Sequence, residues 1–128
     1  MSYYLAKTVT QDFEAVIQRV TAALKQEGFG ILTDIDVQAT LKTKIGADMQ
    51  RYRILGACNP TFAHQALQFE DKLGVLLPCN VIVREQGLGQ IEVAAVDPVA
   101  SLGRVGNARL TSVADEVRVR LQRVIDSL

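Results

Sequence analysis

Apolar positions recur along this chain with two alternating periods, one of two residues and one close to 3.6. These are the marks of half-buried strands and amphipathic helices. Tyr3 to Val9 alternates as a strand, and Thr10 stands as cap of a helix with Phe13, Val16, Ile17, Val20 and Leu24 at helical spacing. Asp12 and Glu14 suit the positive end of that helix and Gly28 its stop. Phe29 to Thr33 reads as a second strand with Phe29, Ile31 and Thr33 on one side. Asp34 or Asp36 then caps a second helix bearing Val37, Leu41 and Ile45, which Gly46 ends.

The third strand carries Tyr52, Ile54, Gly56 and Cys58 on one face. Asn59 as cap and Pro60 at the first helical position launch a helix with Phe62, Ala63, Ala66 and Leu67. Val75 to Glu85 reads as one long strand with Leu77, Cys79, Val81 and Val83 pointing one way. Pro78 cannot donate to a ladder, so it marks an edge, a bulge or the strand's true start. Gly87-Leu88-Gly89 makes a hairpin connection to Ile91 to Val96, and Asp97-Pro98 repeats the cap-then-proline device for a short helix ending near Gly103. From about Ala108 to Ile125 a last helix sets Leu110, Val113, Ala114, Val117, Leu121 and Val124 on one stripe, with Asp115, Glu116, Arg118, Arg120 and Arg123 opposite.

The first half of this order is compatible with a doubly wound parallel sheet. The terminal hairpin and the one-sided long helices favour an α+β fold, a five-stranded, mainly antiparallel sheet with two long helices on one face plus shorter helices. At 128 residues and 48% hydrophobic content, one domain spanning 1–128 is expected. Fourteen basic residues balance fourteen acidic ones without a like-charge block, so neither a nucleic-acid nor an anionic-membrane partner is expected. The opening Met1 to Lys7 lacks a basic segment followed by an apolar stretch, and no later run is long enough to span a bilayer, which predicts a cytoplasmic protein.

Candidate chemistry gathers at two near mirror-image tripeptides, Cys58-Asn59-Pro60 and Pro78-Cys79-Asn80, which hold the only two cysteines. Cys58 stands just before a helix start, where free amides and the macrodipole favour a thiolate. The alternative is a small buried residue packed like Ala57 beside it. Cys79, between Leu77 and Val81, reads as core on its own. If its strand neighbours that of Cys58, the two thiols share one site with Asn59 and Asn80 beside them. His64, the only histidine, follows Pro60 by four residues, within reach of Cys58 as a base or third ligand, or else as a solvated surface residue. The 21-residue cysteine spacing matches no zinc signature, and the sequence names no cofactor.

The blocks Gly28 to Val37, Tyr52 to Pro60 followed by Ala63 and Ala66-Leu67, and Gly74 to Val81 resemble the domain-of-unknown-function 302 family of small bacterial and archaeal proteins. The resemblance covers nearly the whole chain and implies an α+β arrangement like that of the TATA-binding protein, and a homodimer. It brings no activity with it. Three readings follow: a cytosolic dimer binding a soft metal ion or a thiol-reactive small molecule at Cys58, Asn59 and Cys79 with His64 and Asn80 nearby; a cofactor-free enzyme with Cys58 as nucleophile and His64 as base; or a structural dimer with inert buried thiols. The sheet edge near Pro78 is the expected dimer contact.

Overall fold

A computed structural model describes residues 2–128; Met1, at the head of the opening segment, lies outside the described residues. The elements run β1 (Tyr4–Thr10), α1 (Phe13–Gln26), β2 (Gly30–Asp36), α2 (Val37–Ile45), β3 (Tyr52–Cys58), α3 (Pro60–Phe69), β4 (Cys79–Gly87), β5 (Gln90–Val96), α4 (Pro98–Gly103) and α5 (Thr111–Asp126). Short 3-10 turns occupy Leu73–Leu76 and Ala108–Leu110. The five strands form one sheet in the order β1-β5-β4-β3-β2, with every neighbouring pair antiparallel. This is the α+β architecture that the amphipathic pattern predicts, and the parallel alternative is excluded. No described helix is long and apolar enough to cross a membrane.

Alternation divides the sheet into two unlike faces. Leu5, Leu55, Val81, Val83, Val93 and Ala95 point to the inner face and are buried. Above them pack the stripes of α1 (Phe13, Val16, Ile17, Val20, Leu24) and α5 (Val113, Ala114, Val117, Leu121, Val124), the residues that helical spacing selects.

Several local expectations change. Asp12 and not Thr10 caps α1, accepting from the Ala15 amide at 3.3 Å, because Thr10 is still paired with Gln90 in the sheet. The second strand runs on to Asp36, and a bulge between Ile31 and Thr33 sets Ile31 against Ala57 and Thr33 against Gly56. Ile31 and Thr33 therefore lie on opposite faces. Of the two candidate caps Asp36 serves, bonding the Ala39 amide at 2.9 Å. Asp34 instead receives both Nε (2.8 Å) and Nη2 (2.5 Å) of Arg53, whose guanidinium holds its carboxyl below the usual carboxylate range. Gly46 ends α2 at φ 67°, a left-handed conformation that glycine takes without a side-chain penalty.

The long strand from Val75 is not formed. Leu73–Leu76 is a 3-10 turn, the Leu77–Pro78 peptide is cis, and β4 begins only at Cys79. Pro78 thus marks the strand's true start. It is no edge, since β4 is bonded to β3 on one side and β5 on the other; β1 and β2 form the edges.

Asp97 is the one buried charged residue among those described. It caps α4 through the Val99 amide (3.0 Å) and accepts Nε of Arg118 on α5 (3.0 Å), so one carboxylate joins the end of β5 to two helices. Asp97→Ala removes a cap and leaves Arg118 unpaired, an expected loss of about 2 kcal/mol by urea unfolding. Gly56 carries a different constraint. A Cβ there would collide with the Thr33 hydroxyl and stand 2.9 Å from Cγ of Pro78. Gly56→Ala is expected to destabilise by roughly 1–3 kcal/mol in the same measurement, whereas alanine at Gly30, which has open space around it, leaves the midpoint nearly in place.

Candidate functional site

Side-chain volume falls off toward one end of the inner sheet face. Leu55 stands opposite Val81, and in the next row on that face Ala57 stands opposite Cys79. The helix crossing this end, α3, brings Ala63 and Ala66 to meet them. Small groups facing small groups do not fill the layer, and a cavity of about 330 Å³ remains between α3, the sheet end, α4 and α5. Phe29, Phe62, Leu73, Leu102, Val113 and Val117 also line it. Its rim carries Leu32, Leu67 and Leu76, apolar side chains open to solvent, with Leu32 67% exposed.

Cys58, Asn59 and Cys79 all line this one cavity. Cys58 is the last residue of β3, paired with Gly30, where the chain turns into α3; Cys79 is the first of β4, paired with Ala57. The two sulfur-bearing residues are thus brought to the same wall from adjacent strands, both as free thiols. Burial pushes the Cys79 thiol up to about 11, and the neighbouring Cys58 adds to the rise. Cys79 is a neutral thiol at physiological pH.

Asn59 occupies the cap position of α3 but makes no side-chain cap bond. Its amide instead donates to the Glu27 carbonyl (3.4 Å), beside Gly28, whose missing side chain lets Asn59 approach. Nη1 of Arg120 donates to the same carbonyl (3.1 Å) while its guanidinium lies 5.1 Å from the Phe62 ring centroid and its Nε holds Glu116 (3.1 Å). Arg120, which helical spacing places only on the polar side of α5, therefore ties the end of α1 and the start of α3 to α5 and backs one cavity wall.

The other two expected residues lie elsewhere. His64 is on the exposed side of α3 with its Nε2 3.4 Å from Gln68, and it does not line the cavity. Asn80 is exposed, opposite Gly56 in register, and alternation turns it to the sheet face away from Cys79. Asn59 and Ser101 are the only lining side chains, among the described residues, that carry oxygen or nitrogen. No group of three His, Cys, Asp or Glu among the described residues gathers to hold a metal ion. The apolar rim and the Arg120 tie escape a reading by local pattern, because their parts come from segments far apart in the chain. Beside the two cysteine tripeptides, the small residues Ala57, Ala63 and Ala66 are the sequence signal that marks the cavity.

A family model described as Domain of unknown function DUF302 matches residues 5–128. No curated protein matches the chain. Among solved structures, that of an uncharacterized conserved protein DUF302 from Bacillus stearothermophilus is similar at a TM-score of 0.91 and 28% sequence identity, over 98% of each chain.

The raised Cys79 thiol sets two expectations. In Cys58→Ser, which keeps the burial of Cys79 and removes only the smaller contribution of Cys58, alkylation of the remaining thiol by iodoacetamide at pH 8 is slow and still climbs about tenfold per pH unit above pH 9. A rate that levels off near pH 9 contradicts the burial argument. The folded chain also keeps a proton up to about 11 that the unfolded chain releases near the ordinary value of 9.0. The stability this gives is complete below pH 9 and is lost as pH rises from 9 to 11, so the urea midpoint falls more steeply across that window than in Cys79→Ala.

Proposed function

The chain belongs to the DUF302 family, and we propose that it binds a small, mainly apolar, thiol-reactive molecule in the cavity between α3 and the sheet end. The observation carrying this reading is that two thiols from adjacent strands line one apolar cavity of about 330 Å³, within the size range of small-ligand sites. The walls select for carbon-rich ligands through burial, at about 25 cal/mol per Å² of apolar surface withdrawn from water. Orientation falls to the few polar groups, Asn59, Ser101 and the thiols. A soft-metal ligand has less support: two thiols supply half of a tetrahedral set, and His64 lies on the far side of α3. The same placement of His64 leaves a Cys58 nucleophile without that base at the cavity.

The reading is tested with an environment-sensitive apolar dye and with N-phenylmaleimide as the thiol-reactive probe. Native protein is expected to bind the dye stoichiometrically and to lose it once N-phenylmaleimide has added to Cys58. Ala63→Trp, which places an indole in the cavity, weakens dye binding at least tenfold, whereas His64→Ala on the other side of the same helix leaves it unchanged. A native protein that takes up no dye, or one whose binding Ala63→Trp does not alter, overturns the proposal.

A further inference from the structure

No formal charge lines the thiol cavity: among the described residues that form its wall there is no lysine, arginine, histidine, aspartate or glutamate. Arg120, the cation standing behind that wall, is already committed to the Glu27 carbonyl, to Glu116 and to the Phe62 ring. A carboxylate or phosphate drawn inside would lose its water and gain no counter-charge, so the cavity selects an uncharged ligand. The apolar lining runs on into the exposed side chains of Leu32, Leu67 and Leu76 at the rim. A chain longer than the cavity therefore still meets apolar surface where it leaves, which suits an extended alkyl tail better than a compact ring.

The same side chains limit the chemistry open to a thiol here. Expelling a leaving group takes an acid to protonate it or a cation to receive it, and the lining supplies neither. Addition to a conjugated alkene expels nothing. Resting on the reading of this cavity as a site for apolar, thiol-reactive molecules, we propose that its ligand is an uncharged alkyl chain carrying a conjugated enone or enal, and that Cys58 adds to it. The Cys58 thiolate forms a C–S bond at the β-carbon, the alkene π pair shifts to the α-carbon and the carbonyl oxygen, and the α-carbon takes a proton from water in place of the one the thiol released. No co-reactant is consumed. The Cys79 thiol, protonated at physiological pH, and the Asn59 N–H not given to Glu27 are the donors on that wall for the carbonyl oxygen. Cys79 keeps its proton and takes no adduct.

The test follows addition of methyl, butyl and hexyl vinyl ketone to native protein by intact mass, each rate taken relative to glutathione, with peptide mapping to locate the adduct. One adduct per chain is expected, at Cys58, with a rate that rises about fourfold for each methylene the cavity buries. Ala63→Trp flattens that rise, and Cys58→Ser reacts at least tenfold more slowly at physiological pH. Ethyl hexyl ketone, the same molecule without its alkene, competes for the cavity and slows the hexyl addition to native protein, a readout that needs no variant. Rates indifferent to chain length, no competition by the saturated ketone, or an adduct at Cys79 in place of Cys58 overturns the proposal. Native protein that binds the apolar dye yet shows no preference for the longer enones keeps its apolar site and rejects this ligand class alone; loss of both rejects the cavity as a site.

Discussion

The match of side-chain volumes between the inner sheet face and the helices above it governs this structure. Where Leu55, Val81 and Val93 meet the stripes of α1 and α5, large residues interlock and exposure falls to nearly nothing. Toward the ends of β3 and β4 the sheet offers only Ala57 and Cys79, and α3 answers with Ala63 and Ala66. A protein interior tolerates few voids larger than a water molecule, so a deficit of this size at one end, walled by well-packed neighbours, is a built feature. Gly56 is part of it: its bare Cα lets Pro78 and Thr33 close the sheet end beside the cavity, and any larger residue would push them apart.

Electrostatics at that end follow from the same geometry. The thiol of Cys79 sits where solvent is scarce and a second sulfur is near, and both circumstances disfavour its anion. Cys58 differs in position: it lies at the junction of strand and helix, where the chain leaves the sheet. Two chemically identical side chains are thereby placed in unlike surroundings on one wall, which gives the cavity one protonated thiol and one at a backbone turn. Arg120 keeps that turn in place from outside, bonding the Glu27 carbonyl that Asn59 also reaches and lying over Phe62.

Much of the fold is legible in the sequence because it rests on periodicity. The stripes of α1 and α5, the hairpin at Gly87-Leu88-Gly89, the Asp97-Pro98 cap and the Gly46 stop are all local signals, and each stands where its chemistry requires. What escapes a local reading depends on partners elsewhere. Thr10 has the chemistry of a cap, but pairing with Gln90 keeps it in the sheet and Asp12 takes the role. The bulge at Ile31 and Thr33 flips one side chain relative to a simple alternation, and only the register with β3 reveals it. Of the site residues, Cys58, Asn59 and Cys79 share a wall because β3 and β4 are neighbours. His64 and Asn80 fall away because helix and strand geometry turn them outward, a matter of orientation that spacing along the chain does not fix.

Access to the cavity follows from how α3 is held. Of its ten residues only Ala66 is fully buried, and its start is fastened by the long, half-buried Asn59 bond and by Arg120 against Phe62. Elements with few buried apolar contacts open at lower free energy than the core they cover. The neighbouring turn at Leu73–Leu76 is anchored through Leu73 alone, while Val75 and Leu76 remain exposed. The cavity is therefore roofed by α3 and the Leu73–Leu76 turn and floored by Ala57 and Cys79, one row from the fully buried pair Leu55 and Val81. Such a division sets Cys79 on the sheet side of the cavity and Cys58 at the junction of the sheet with α3.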